Sequence, residues 1–326
     1  MDNPTNMSWD VVANDASRAS ERPAVSVVIT LFNYSAYIRG CLDSVKASQD
    51  VPGRFEVVVV DDGSTDSSAA VVEEYMRSSP MPICLVKKRA NSGLADARNI
   101  GLFTARAPLV FILDADNEIR VECLLAHYQA LANSAMNSNC AMAYGIINRF
   151  DGDTRKSLTQ QPDGEWDVRT LLSRPYIDAM AMVRKEVVQK VGGYSTEYGT
   201  ILPQGFEDYD LWLKLAQAGY SGKFIPQVLS DYRVHSASML KTTWPFQREL
   251  ATYFLRKFHV LVQQHGDLPT YFGVSRKELA IANGEKAWLK SRPKNRPQRL
   301  IHGLLGKKLC RSLAKRLTTI YLWLYP

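Results

Sequence analysis

Short apolar runs, each stopped by a cluster of polar residues, alternate with helical periodicity over the first third of the chain. Residues 25–32 (VSVVITLF), 55–60 (FEVVVV), 83–86 (ICLV) and 110–113 (VFIL) are apolar, mostly uninterrupted and rich in β-branched side chains. That is the pattern of strands buried on both faces of a parallel sheet. Residues 36–46, the stretch through Met76, and 94–105 fill the gaps with helical pattern. Ser35 reads as the N-cap of the first helix, and Asn91-Ser92-Gly93 as the turn before the third. This βαβαβαβ order predicts a parallel sheet with right-handed crossovers.

Further on, the pattern predicts a helix over 118–132, a strand over 141–149, an irregular stretch over 151–176 and a strand over 179–183. A helix over 185–191 stops at Gly192-Gly193. Another starts at Gly205-Phe206-Glu207-Asp208 and stops at Gly219, and residues 224–232 form a strand leading to His235. From Trp244 onward the pattern is helical. Residues 300–324 carry an apolar stripe that includes Leu300, Leu304, Leu313, Leu317 and Leu324, with bases elsewhere around the helix and an aromatic end. The organisation expected is a flexible arm (1–22), one α/β domain (23–243) and a helical, basic C-terminal extension (244–326).

At 326 residues the chain has room for a large core, and 46% hydrophobic with 22% charged residues is ordinary for a globular protein. The charge of +7 is uneven: residues 285–326 hold eleven Lys or Arg against one acid, a local +10 that leaves the rest at −3. Five scattered cysteines without close pairs argue against a disulfide framework or a zinc site and for reduced thiols, as in the cytoplasm. The polar residues 1–22 lack the apolar core of a signal peptide, and no stretch reaches the length of a membrane span.

Several motifs sit where strands end. Phe111-Ile-Leu-Asp114-Ala-Asp116 runs from a buried strand into two carboxylates at i and i+2, which suit one hard cation and its phosphates or, more simply, a helix cap. Asp61-Asp62-Gly63-Ser64 is either a capped turn or an acceptor of hydrogen bonds from a nucleoside. Arg98 lies in a helix that starts near Gly93 and either reaches a diphosphate or pairs with Asp96 on a solvated face. Glu207-Asp208 opens a helix, as dipole-favoured caps or with a general base among them. A lone histidine such as His235 is more often structural than a ligand, Tyr194 reads as a packed aromatic after a helix stop, and Trp166 and Tyr176 read as core or as an acceptor platform.

Taken in order, TLFNY, VVDDGSTD, NSGLADARN, FILDADN, GGY, GFEDYDLWLKL and YRVHSASM strongly resemble the family 2 glycosyltransferases of GT-A fold, over about residues 24–239. The resemblance implies a GT-A-type α/β domain, with a mostly parallel central sheet flanked by helices and a Rossmann-like nucleotide-binding half. It implies that Thr30, Asn33 and Tyr34 line the nucleoside pocket and that Asp61 pairs with uracil. Arg98 would touch base or diphosphate, and Asp114 the ribose or a metal-bound water. Asp116 and His235 would hold Mg²⁺ or Mn²⁺, Asp208 would be the general base, and Glu207, Tyr194 and Trp166 would sit near the acceptor.

The expected activity is therefore inverting, metal-dependent transfer from a nucleotide sugar to a saccharide or lipid-linked hydroxyl, in bacterial cell-surface polysaccharide synthesis. A nucleotidyltransferase would want a Gly-rich, basic loop after the first strand, and TLFNYS has none. A non-catalytic carbohydrate-binding or scaffold relative fits poorly with intact Asp114, Asp116, Asp208 and Arg98. The basic tail suggests an anionic membrane surface at the cytoplasmic face, while its apolar stripe suits packing on the domain or on a second subunit. Nucleic acid is not expected, since no binding motif accompanies the charge.

Overall fold

The computed structural model describes residues 8–48, 51, 54–133, 139–161, 164–198, 205–235 and 244–279. The chain divides into two compact units, 1–279 and 280–326. The first is described here; the amphipathic segment 300–324 lies outside the described residues.

In chain order its elements begin with β1 (Trp9–Ala13), α1 (Asp15–Ala19), β2 (Val25–Leu31), α2 (Ile38–Lys46), β3 (Phe55–Asp61) and α3 (Ser68–Ser78). Next come β4 (Ile83–Lys88), α4 (Leu94–Thr104), β5 (Leu109–Asp114), β6 (Glu118–Ile119), α5 (Cys123–Ala132), β7 (Cys140–Asp151) and β8 (Ser157–Gln161). Then follow α6 (Val168–Ser173), β9 (Ala181–Arg184), α7 (Lys185–Lys190), α8 (Glu207–Gln217) and β10 (Ser221–Val234). A 3-10 turn at Trp244–Phe246 leads into α9 (Gln247–Lys257), α10 (His259–His265) and the short hairpin β11 (Thr270–Tyr271) and β12 (Val274–Ser275).

The four apolar runs become β2, β3, β4 and β5, parallel and side by side in the order β4-β3-β2-β5. Alternate residues of β2 and β3 serve two cores. Val27, Ile29, Val57 and Val59 meet Ile38, Leu42 and Val45 of α2 and Val72 and Met76 of α3. Val28, Val58 and Val60 meet Ala97 and Ile100 of α4. Each strand is buried on both faces, so none needs polar alternation. The chain adds β3 and β4 on one side of β2 and β5 on the other, so the winding reverses between β2 and β5. At such a switch point the strand ends open into a crevice, and here Thr30 pairs in register with Asp114.

The parallel expectation stops at β5. Strand β9 lies antiparallel between β5 and β7, and β7 then pairs in parallel with β10. Within the flexible arm expected over 1–22, the described part differs: β1 pairs antiparallel along β4 from Trp9↔Lys88 to Ala13↔Cys84, while residues 1–7 lie outside the described residues. Asn14 then caps α1, accepting from Ser17 N at 2.9 Å and Ile83 N at 3.0 Å. At the sheet's edge β1 is only partly buried, with Val11 54% exposed, and its short run Trp9-Asp-Val-Val-Ala13 is hidden among the polar residues on either side. The helix expected over 118–132 starts later, at Cys123, because Glu118 and Ile119 pair with Asp231 and Ser230 as a short strand. Ser35 does not cap α2; its backbone N–H donates to Asp66 instead.

The helices after Trp244 belong to the same body. Leu250, Ala251, Phe254, Phe258 and Leu261 join the core that holds Leu211, Trp212 and Leu215 of α8. Lys257 of α9 reaches Asp210 Oδ1 at 2.6 Å, and Asp210 is wholly buried. This apolar stripe thus seals the outer side of the helix that carries Asp208. None of the described helices is long and apolar enough to cross a membrane.

Candidate functional site

A cleft opens where the switch point predicts, over the C-terminal ends of β2 and β5. Thr30, Phe32, Tyr34, Asp62, Arg98, Asp114, Asp116, Asp178, Glu207, Asp208 and Tyr232 are among the residues that line it.

Asp114 is set by two donors: Thr30 Oγ1 at 2.9 Å and Arg98 at 3.0 and 3.3 Å. Arg98 is 2% exposed and sits 3.5 Å from Glu207, with its guanidinium 5.5 Å from the Tyr194 ring centre. The sequence allowed an Asp96–Arg98 pair on a solvated face, but Asp96 pairs with Lys88 at 2.6 Å and Arg98 turns inward. Lys88 also pairs with buried Asp62, whose carboxylate accepts from Ser92 N at 3.1 Å and Gly93 N at 3.0 Å. Asp62 thereby ties the DDGS turn to the loop before α4. Gly63 allows this approach, since a Cβ there would come within 2.7 Å of Asn91 N, at a φ of +72°.

Asp116 lies at the cleft with its carboxylate 2.9 Å from His235 Nε2. Burial and neighbouring Asp114 hold its carboxyl above the usual range, and His235 pulls it back. This arrangement fits a divalent cation: an oxygen and a nitrogen donor converge beside a second carboxylate, leaving negative charge that a cation relieves. Among the described residues no three metal-binding side chains gather. Magnesium-like ions take one or two protein carboxylates and complete their shell with water and substrate phosphates, so a sparse protein set suits them.

Asp208 stands in the first turn of α8, half-buried, and accepts from Tyr209 N at 2.7 Å. Burial pushes its carboxyl up to about 8; Arg98 opposes this, while Glu207 and Asp178 add to it. Glu207 is 1% exposed and accepts from Gly205 N at 2.8 Å while facing Arg98, so it braces the start of the helix.

Other expected site residues lie apart from the opening. Asn33 is exposed and accepts from Thr65 N at 2.8 Å and Asp66 N at 3.3 Å, holding the turn after β3. Asp61 faces α2 and α3, not the side of Asp62, and accepts from Ser64 N at 3.3 Å. Tyr194 is buried under Arg98, its backbone fixed by Asn99 through two 2.8 Å bonds. Trp166 packs over Gly222, where a Cβ would come within 2.8 Å of the indole, and does not line the cleft. Tyr176 is buried core, with its hydroxyl donating to Glu165 O at 3.2 Å.

Phe32, Asp62 and Asp178 are among the lining residues that the sequence motifs did not single out. Phe32 is 41% exposed at the mouth. Asp62 shares the DDGS motif with Asp61, but strand alternation sends the two neighbours to opposite faces. Asp178 accepts from Met180 N at 3.0 Å, and burial pushes its carboxyl up to about 6. The available signal was an acid flanked by apolar residues in Tyr176-Ile-Asp178-Ala-Met180, where no turn requires one.

Residues 26–192 match the model of the family described as Glycosyl transferase family 2. Among curated proteins, an uncharacterized glycosyltransferase of Nostoc sp. is 37% identical over 226 residues, 66% of each chain. A teichoic acid poly(glycerol phosphate) polymerase of Staphylococcus epidermidis is 33% identical over 110 residues, covering 34% of this chain but only 15% of that protein. Among solved structures, the mannosyltransferase PcManGT of Pyrobaculum calidifontis, in complex with GDP-Man and Mn²⁺, has a TM-score of 0.54 at 19% identity, covering 98% of this chain and 85% of that one. TarS 1–349 of S. aureus in complex with UDP-GlcNAc has a TM-score of 0.51 at 18% identity, over 71% of this chain and 66% of that one. The central sheet and its flanking helices thus have the GT-A arrangement of these structures.

Proposed function

The chain belongs to glycosyl transferase family 2, and we propose that it moves a sugar, with inversion, from a UDP-linked donor to a hydroxyl of a saccharide or lipid-linked acceptor. The pathway proposed is bacterial cell-surface polysaccharide synthesis, in keeping with the teichoic acid polymerase among its relatives. The observation that carries the reading is that one cleft is lined both by Asp114 and Asp116 at the switch point and by half-buried Asp208 at the start of α8.

In this reading the strand-end side of the cleft takes the nucleotide. Thr30 and Arg98 hold Asp114 toward the ribose, and Phe32 and Tyr34 flank the entrance. Asp116 and His235 would hold a Mg²⁺ or Mn²⁺ ion, which would supply Lewis-acid stabilisation to the departing diphosphate; PcManGT was solved with Mn²⁺. Asp208 takes the proton of the acceptor hydroxyl as it attacks opposite the leaving group, which inverts the anomeric centre. Arg98 does not act on the proton; it pairs with Asp114 and Glu207 and holds both in place. Asp178, near both Asp114 and Asp208, faces the space between leaving group and base, where the transferred sugar lies.

A donor panel tests the reading. Nucleotide release from UDP- and GDP-sugars, with Mn²⁺ and with or without lipid extract, is expected to favour a neutral UDP-sugar. Uronate donors are expected to fare worst, because Asp178, Glu207, Asp208 and Asp114 meet only Arg98 as a cation among the described lining residues. Release that is equal with and without Mn²⁺, or confined to GDP-sugars, overturns the corresponding part of the proposal. Peripheral attachment at the cytoplasmic face of the membrane stays a proposal on the basic composition of residues 285–326.

A further inference from the structure

We propose that Arg233 is a positioning residue that fixes the spacing between Asp116 and His235 and so sets the affinity for the divalent cation; the inference rests on the metal reading above. Arg233 is 6% exposed, although it carries a charge. It engages three consecutive residues of the turn after β5. Its Nε donates to the Asp116 carbonyl at 2.8 Å, its backbone N–H to Asn117 Oδ1 at 2.9 Å, and its Nη2 to Glu118 Oε1 at 2.6 Å. Asn117 is itself only 1% exposed, so this turn has little freedom once Arg233 is seated.

The same arginine is tied to the imidazole. Arg233 and His235 stand two residues apart, on the same side of the extended chain at the end of β10. The Tyr37 ring touches both, with its centre 5.0 Å from the Arg233 guanidinium and stacked on His235 at 5.5 Å and 27°. Phe150 also packs on the guanidinium, at 4.7 Å. Arg155 donates to both oxygens of Glu118, Oε1 at 2.6 Å and Oε2 at 2.8 Å, keeping that carboxylate where Arg233 needs it. One planar group therefore locks the carboxylate turn, a ring, and through that ring the second donor. A lysine carries the charge but not the fork or the flat faces.

Outer partners that orient metal ligands are worth typically ~10–100-fold in metal affinity. The test uses the full-length chain with UDP present, titrating Mn²⁺ and reading the free ion by its paramagnetic resonance signal. Arg233→Lys is expected to weaken Mn²⁺ binding by that factor, with the thermal midpoint close to wild type and nucleotide release recovering at high Mn²⁺. Arg233→Met is expected to weaken it at least as far. If Arg233→Met does not fold, Arg233→Lys decides alone. A folded Arg233→Lys with Mn²⁺ affinity within twofold of wild type overturns the positioning role. Wild-type protein that binds no Mn²⁺ with UDP overturns the metal reading and, with it, this inference; the two failures are told apart by which protein shows them.

Discussion

Asp208→Asn is expected to lower sugar transfer by ~10²–10⁴-fold, the usual worth of a positioned general base, while UDP binding in Mn²⁺ stays within a few-fold of wild type. The substitution keeps the side-chain shape and the bond from Tyr209 N, and removes only proton acceptance. The wild-type pH profile should carry the same group. Burial pushes the Asp208 carboxyl up to about 8, and the base must be ionised, so transfer rises with pH and levels off above that value. In Asp208→Asn the residual rate should lose this rise.

Stability should move the opposite way. An unfolded aspartate loses its proton near ~3.9, whereas the native one keeps it until about 8. The native state therefore binds more protons over that interval, and Asp208's contribution, full below the unfolded value, is lost as pH rises through the folded one. The asparagine variant should thus melt higher than wild type near pH 8, with the gap closing toward pH 4. A variant of equal melting temperature at pH 8 would argue that the carboxylate is better solvated than its burial implies.

Replacing Arg98 has the other large expected effect. Arg98 is 2% exposed and faces Asp114 and Glu207, and Glu207 is 1% exposed. Arg98→Met leaves both carboxylates without their cation. Breaking a buried pair in this way costs about 3–5 kcal/mol, read as a drop in urea-unfolding free energy. UDP binding should fall too, because Asp114 loses one of its two donors. Arg98→Lys should recover part of the stability and less of the binding, since one ammonium cannot span both acids. A loss below about 1 kcal/mol, the scale of an exposed pair, would contradict the inward-facing geometry.

Much of this was legible in the sequence, and the reasons differ by element. Strands β2, β3, β4 and β5 were readable because burial on both faces leaves an unbroken apolar run. Asp114 and Asp116 were readable because such a run ended on acids. Strand β1 was not, because a five-residue edge strand, only partly buried and flanked by polar segments, leaves too short a run to stand out, though it pairs all along β4. The reversal at β9 was hidden because a short apolar run does not encode direction. Asn33, Tyr194 and Trp166 matched their motifs, yet their side chains or rings are spent on a turn, on Arg98 and on Gly222. A motif fixes neighbours along the chain, whereas the direction of a side chain is set by what packs behind it.

The central claim is that one cleft separates leaving-group binding at Asp116 from proton removal at Asp208. Calorimetric titration of UDP into Asp116→Asn and Asp208→Asn, with Mn²⁺ and with EDTA, tests it most directly. The account predicts that Asp116→Asn loses the Mn²⁺-dependent gain in UDP affinity and that Asp208→Asn retains it. Retention by Asp116→Asn, or its loss in Asp208→Asn, would contradict the account.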